Sequence, residues 1–181
     1  MTYRQALQEI ADEQYGYITT NDLHRLGIPE NTLRLLANRG KVKQIRRGLY
    51  RFPNTKQTQQ DVFATALYNV GQGSYLVADA VLALHDLGLV NPTKIRVRTK
   101  ARVRHELPAY IALEQRNVDD EIEIFEGIAT TRVARAILDC QGLVMTERLT
   151  QALISARDNG LVTHREFLEV RKSLRAKLVH A

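Results

Sequence analysis

Four glycines divide the first 50 residues of this 181-residue chain into short segments, and their spacing most constrains how its N-terminal part folds. Glycine often ends helices and occupies tight turns because it adopts positive φ without strain. We therefore predict that Gly16, Gly27 and Gly40 end three successive helices and that Gly48 lies in the turn of a β-hairpin.

Each segment carries the signals of its predicted element. Apolar residues at helical spacing predict a first helix over residues 3–13. After an extended piece at residues 17–18, Thr19 stands three residues before Asp22, a variant capping box that starts a brief second helix. Pro29 fits the first turn of a third helix that runs to residue 38 or 39. Two helices thus flank a tight turn.

A basic hairpin is predicted next, over residues 41–52, because these residues alternate loosely around Gly48. Helix, helix-turn-helix and basic hairpin, in this order, indicate a winged helix-turn-helix domain over residues 1–53. Residues 53–60 are polar and contain no large aliphatic side chain, which predicts a linker.

The remaining chain, residues 61–181, is expected to form a second domain of the α+β class, with a small sheet and several helices. The overall fold class is thus α+β. Helices are predicted over residues 61–70, 77–87, 131–141, 146–158 and 163–178, and strands over residues 94–104 and 122–125.

The positive charge is concentrated in the N-terminal part. The net charge is +6, which permits a polyanionic partner. Residues 34–51 contain seven Lys and Arg residues and no Asp or Glu, whereas from Gln57 onward 16 Lys and Arg residues face 15 Asp and Glu residues.

The third helix and the hairpin supply the candidate DNA contacts. Opposite its apolar stripe, this helix presents Glu30, Asn31, Arg34 and Asn38, and in major grooves Asn suits adenine while Arg suits guanine. Any surface helix carries such residues, so the cations of the hairpin, which suit phosphates, are the stronger signal. The predicted DNA-binding residues are Asn31, Arg34, Asn38, Arg39, Lys41, Lys43, Arg46, Arg47 and Arg51.

A second basic surface is predicted on the strand over residues 94–104, where cations occupy every even position and would share one face. These cations are Lys94, Arg96, Arg98, Lys100, Arg102 and Arg104. One interpretation is a second surface for nucleic acid or for an acidic protein. The other is that Glu121 and Glu123 pair with some of the cations across the sheet.

Signatures of catalysis, metal binding and membrane insertion are not found in the sequence. Cys140 is the single cysteine and is expected to be a buried apolar residue. His85, near Asp79 and Asp86, is more typical of a packing or capping residue than of a general base. We therefore expect no enzyme, cofactor or metal, and a cytoplasmic protein that does not contact membranes.

Several of these stretches resemble the AbiEi-type antitoxins, transcriptional regulators of abortive-infection toxin–antitoxin systems. The stretches are Gly16-Tyr-Ile-Thr-Thr-Asn-Asp-Leu, the hairpin with Arg47-Gly-Leu-Tyr50, residues 75–89 with the basic strand that follows, and residues 130–139. His85 departs from the pattern, because the family usually has histidine directly before Gly-Leu, so the resemblance assigns no specific role to His85.

The resemblance implies an autorepressor that binds inverted repeats of double-stranded DNA in its own promoter. It also implies antitoxin activity in the second domain and a nucleotidyltransferase toxin encoded beside it. The family is thought to counter the toxin without a stable complex, so direct contact stays open. The alternative is an RNA- or ribosome-associated module that uses the hairpin and the basic strand.

Overall fold

The computed structural model describes residues 3–178 and has a mixed α+β architecture, as predicted. Contacts between residues divide the chain into two compact units, Met1–Tyr68 and Asn69–Ala181. Among residues 3–178, no helix is both long enough and apolar enough to cross a membrane.

Residues 3–51 of the N-terminal unit form three helices and a three-stranded antiparallel sheet with strand order β1-β3-β2. Its elements are α1 (Tyr3–Glu13), β1 (Tyr17–Thr19), α2 (Thr20–Leu26), α3 (Thr32–Asn38), β2 (Lys43–Arg46) and β3 (Leu49–Arg51). Strands β2 and β3 form the predicted hairpin around Gly48, and its register shifts between Gln44 and Arg46.

The predicted helix boundaries around the turn are largely confirmed. The Thr19 amide donates to Asp22 over 2.8 Å and the Asp22 amide donates to the Thr19 hydroxyl over 3.3 Å, which completes the capping box. Gly27 ends α2 with a φ of 64°. The predicted start of α3 is wrong, because the helix begins at Thr32 after a turn in which the Thr32 amide donates to the carbonyl of Pro29 over 3.0 Å.

One buried apolar cluster holds this unit together. Leu7 of α1, Leu23 of α2 and Leu33 of α3 are fully buried, and they pack with Tyr50 and Phe52 from β3 and the residue that follows it. The apolar face of each short helix is thus covered by the sheet, which compensates for the low stability of such helices in isolation.

Helix α4 (Asp61–Val70) has its predicted bounds, but the predicted boundary at residues 53–60 differs from the division observed at Tyr68. Asp61 pairs with Arg51 over 2.8 Å, and the Tyr17 hydroxyl donates to Thr65 over 3.0 Å. The rings of Tyr17 and Tyr68 stack with centroids 4.6 Å apart. Most of α4 therefore belongs to the N-terminal unit.

The C-terminal unit is built around a five-stranded mixed sheet with strand order β6-β5-β4-β8-β7. Strand β5 runs antiparallel to β4 and parallel to β6. The elements are β4 (Tyr75–Leu76), α5 (Asp79–Leu84), β5 (Ile95–Thr99), β6 (Ile111–Gln115), β7 (Ile122–Phe125), β8 (Ile128–Thr131), α6 (Val133–Asp139), α7 (Thr146–Asp158) and α8 (His164–Leu178).

Predictions for this unit are confirmed for β7 and α7 and nearly so for α8, while others need correction. The strand predicted over residues 94–104 ends at Thr99, where the Thr99 hydroxyl accepts from the Ala101 amide over 3.1 Å and turns the chain. The helix predicted over residues 77–87 is limited to α5, since Ala78 has a φ of 51° and the last residues form a turn. The helix predicted over residues 131–141 is likewise shortened to α6.

Candidate nucleic-acid interface

The exposed face of α3 is set by the burial of its opposite face. Leu33 is fully buried, and Leu36 and Ala37 pack against the same cluster. The side chains of Asn31, Arg34, Asn38 and Arg39 are exposed. Asn31 immediately precedes the helix, yet its side chain makes no capping hydrogen bond. The amide groups and the guanidinium of this face are therefore available to a ligand.

Leu35 lies in the middle of this polar face, and the sequence reasoning missed it. At 3.6 residues per turn it points about 160° away from Leu33, and the residue is 44% exposed. It shares the i, i+3, i+4, i+7 stripe with Asn31, Arg34 and Asn38. This spacing can be read from the sequence and would have placed Leu35 on the polar face.

Three predicted cations of the hairpin region are exposed, namely Lys41, Lys43 and Arg47. Within residues 3–178, no carboxylate pairs with any of them. Lys43 and Asn38 line a common surface depression of about 430 Å³, whose other walls include Gly40 and Gln44. This depression joins the exposed face of α3 to the first strand of the hairpin.

The two other predicted cations of the hairpin, Arg46 and Arg51, are held by protein groups. A terminal nitrogen of Arg46 donates to the backbone carbonyl of Tyr68 over 3.0 Å, and burial lowers the pKa of its guanidinium. Arg51 pairs with Asp61 and lies 5.1 Å from the centre of the Tyr17 ring. Both residues thus join the hairpin to other parts of the N-terminal unit.

The tip of the hairpin is fastened to the start of α2. The Thr20 amide donates to the Gly48 carbonyl over 3.1 Å. Gly48 has a φ of 77°, and a Cβ atom there would lie 3.2 Å from the Thr20 hydroxyl. Glycine is therefore favoured by both the conformation and the close approach.

The predicted basic face over residues 94–104 is not formed, because the strand ends at Thr99 and three of the six cations are engaged by carboxylates. Arg96 pairs with Asp79 over 3.0 Å, and Arg98 is buried. Lys100 pairs with the exposed Asp119. The other three cations of this predicted face are exposed, and the described residues supply no ion pair for them. They are Lys94, Arg102 and Arg104.

Arg98 is the centre of a buried ionic cluster. It donates to Asp120 over 2.8 Å and to Glu114 over 2.8 Å, and Tyr75 donates to the same carboxylate of Asp120 over 2.9 Å. Burial opposes the charge of Arg98, but these hydrogen bonds outweigh it and raise its pKa above the ordinary value. Burial also opposes ionisation of Asp120, yet the bonds from Arg98 and Tyr75 lower its pKa. Arg98 is therefore a structural cation.

The predicted pairing of Glu121 and Glu123 with the basic strand is also wrong. Both carboxylates lie near Arg132, at 3.6 and 3.4 Å, and Glu166 of α8 approaches the same guanidinium at 2.9 Å. The strand cations find their partners instead on α5, β6 and the segment before β7.

His85 and Cys140 occupy apolar surroundings. The His85 ring lies 4.2 Å from that of Phe125, and burial lowers its pKa. Cys140 is buried as predicted, and burial raises the pKa of its thiol to about 12. Among residues 3–178, no three His, Cys, Asp or Glu side chains are grouped so that they could hold a metal ion.

Residues 5–53 match the model of a family described as "Transcriptional regulator, AbiEi antitoxin". This segment is similar to the AbiEi antitoxins. The resemblance predicted from the sequence is thus confirmed over residues 5–53, a range that extends from α1 through β3 and contains the candidate residues of α3 and the hairpin. No curated protein matches the chain.

Proposed function

We propose that the N-terminal unit is a winged helix-turn-helix that binds double-stranded DNA in the promoter of its own gene and represses transcription. The order α1, β1, α2, α3 and then the β2–β3 hairpin supports this assignment. The observation that carries it is the depression shared by Asn38 of α3 and Lys43 of β2, which brings base-reading and phosphate-binding side chains to one surface.

In the proposed complex, α3 enters the major groove. Asn31, Arg34 and Asn38 face the base edges, where Asn suits adenine and Arg suits guanine. Lys41, Lys43, Arg39 and Arg47 neutralise phosphates along the groove edge and release counterions. Arg46 and Arg51 act indirectly, because their contacts with Tyr68 and Asp61 fix the hairpin.

The same family description supports an antitoxin role. We propose that the chain protects cells from a nucleotidyltransferase toxin encoded beside it and that the C-terminal unit carries this activity. A direct complex is not part of the proposal. Inverted repeats in the promoter would allow each repressor copy to occupy one half-site.

DNA binding is tested by fluorescence anisotropy with the gene's own upstream region and a shuffled duplex, each at two salt concentrations. We expect tighter binding to the upstream region and a steep decrease in affinity with salt. Arg34→Ala should weaken binding to the upstream region about 5- to 150-fold and binding to the shuffled duplex much less. Arg165→Ala in α8, an arginine whose side chain is 89% exposed, is the matched control and should bind like wild type. Equal affinity of wild type for both duplexes would overturn specific repression.

Antitoxin activity is tested by co-expressing the chain with the neighbouring nucleotidyltransferase. Growth should be restored by the full chain and by Arg34→Ala, because the proposed antitoxin activity does not depend on base reading. If Arg34→Ala failed to protect although it was folded and equally abundant, the proposed separation of repression from protection would be wrong.

The alternative, an RNA- or ribosome-associated module, depended on a continuous basic strand in addition to the hairpin. Because Arg98 is buried and Arg96 is paired, only the cations of the hairpin still support this alternative. An RNA duplex of the same sequence, added as competitor, distinguishes the two. Preferential binding of this RNA would favour the alternative.

A further inference from the structure

Leu35 is an apolar side chain at the centre of a polar helix face. The residue is 44% exposed, and Asn31, Arg34 and Asn38 share its stripe. Single exposed leucines are common on protein surfaces. The position of this one is informative because its neighbours carry the hydrogen-bonding groups that suit base edges.

The major groove offers such a face one apolar partner, the C5 methyl group of thymine. The other apolar residues of α3, Leu33, Leu36 and Ala37, face the core of the unit. A leucine within this stripe can therefore remove a thymine methyl group from water while the adjacent amides and guanidinium bind polar base atoms.

We propose that Leu35 contacts the C5 methyl group of a thymine in each operator half-site and so contributes to sequence selectivity. This inference rests on the proposed DNA binding and adds a thymine to the bases that the protein contacts. The half-site is then expected to contain this thymine next to base pairs whose adenine or guanine is bound by Asn31 or Arg34.

The test uses operator duplexes in which single thymines are replaced by uracil, which removes only the methyl group. Burial of one methyl group contributes enough free energy to change affinity about four-fold. Wild-type protein should therefore lose about four-fold in affinity at one thymine of each half-site. Leu35→Ala should lose a similar factor on the unmodified operator and show no further loss with uracil at that position.

Leu35→Met is the matched control, because it keeps an apolar side chain of similar volume and should still distinguish thymine from uracil. Circular dichroism and the thermal midpoint should be unchanged in both variants, since the side chain does not belong to the buried cluster. The non-additive effect of the uracil and alanine changes measures the contact directly.

If Leu35→Ala still distinguishes thymine from uracil at every position, the inference is overturned. It is also overturned if the variant changes self-association in sedimentation without changing this discrimination, because Leu35 then contacts a second copy of the chain. In either case, if Arg34→Ala loses affinity for the operator but not for the shuffled duplex, the proposed DNA binding still holds. A wild-type protein that does not prefer its operator would reject the proposed function itself.

Discussion

The guanidinium of Arg46 donates to the backbone carbonyl of Tyr68 over 3.0 Å, whereas the next side chain, Arg47, is exposed. Neighbouring arginines of the hairpin thus have different environments. Arg46→Ala removes a charged donor from a half-buried carbonyl and should lower the free energy of unfolding by about 1–3 kcal/mol. Arg47→Ala should leave stability within about 0.5 kcal/mol of wild type.

The two variants should affect DNA binding in the opposite order: Arg47→Ala should change its salt dependence, and Arg46→Ala should not. Arg47→Ala should reduce the slope of log affinity against log salt by about 0.9, as for one lost phosphate contact. Arg46→Ala should keep the wild-type slope under conditions in which it is fully folded. Urea unfolding and salt titrations check both statements, and identical behaviour of the two variants would contradict them.

The division of the chain at Tyr68 predicts that a fragment of residues 1–72 is more stable than one of residues 1–58. The shorter fragment lacks the Arg51–Asp61 ion pair and the stacking of Tyr17 on Tyr68. We expect it to be less stable by about 1–3 kcal/mol. Urea unfolding of both fragments measures this difference. Equal stabilities would place the boundary in the polar stretch over residues 53–60.

Asp119 and Asp120 are adjacent and provide a matched pair. The Asp120 side chain is 4% exposed and binds Arg98, while that of Asp119 is 96% exposed. Asp120→Asn leaves the buried Arg98 with less compensating charge and should cost about 3–5 kcal/mol, the range for breaking a buried ion pair. Asp119→Asn should unfold like wild type in urea. A small effect of Asp120→Asn would show that Glu114 and Asp139, which lie 2.8 and 3.6 Å from Arg98, compensate the arginine without Asp120.

Burial of His85 predicts a pH dependence of stability in the acidic range. Because its pKa is lowered in the folded state, the unfolded chain binds the proton first as the pH falls below about 6.5. The contribution of His85 to the free energy of unfolding should decrease from that pH down to its folded pKa, by at most about 1.4 kcal/mol per pH unit.

The difference between the wild-type and His85→Gln stability curves, measured by urea unfolding between pH 5 and pH 8, isolates this contribution. The difference should be constant above neutral pH and change below it. A constant difference throughout would show that His85 has the same proton affinity in both states.

Much of the N-terminal unit was predictable because its signals are local. The reciprocal bonds of Thr19 and Asp22, and the positive φ of Gly27, depend on residues within one turn of each other. The exact start of α3 was not predictable, since Pro29 suits a turn as well as a first helical turn.

Strands of the C-terminal unit were harder to predict because pairing defines them. Strand β4 has two residues and becomes a strand only between β5 and β8. Alternation in residues 94–104 indicated a strand, which is present only over Ile95–Thr99, and periodicity does not reveal what covers each face. Arg98 meets Glu114 and Asp120, which lie 16 and 22 positions away in the sequence.

The same limit applies to the candidate interface. Exposure of Arg34 and Arg47 follows from the pattern of each element, whereas the engagement of Arg46 and Arg51 depends on α4, which the sequence reasoning assigned to the second domain. Local pattern therefore predicted which residues share the candidate surface, and tertiary contacts decided which of its cations are exposed.

The hydrogen bond from the Thr20 amide to the Gly48 carbonyl ties the hairpin tip to α2, in the same compact unit that carries α3. This bond limits how far the tip can move relative to the helices of the unit. If the unit binds DNA as proposed, a duplex whose groove geometry does not match the spacing of α3 and the tip must be bent or compressed, and the cost depends on how deformable its sequence is. Base pairs that no side chain touches would thereby contribute to operator choice, and loosening the tip would broaden the range of sequences accepted.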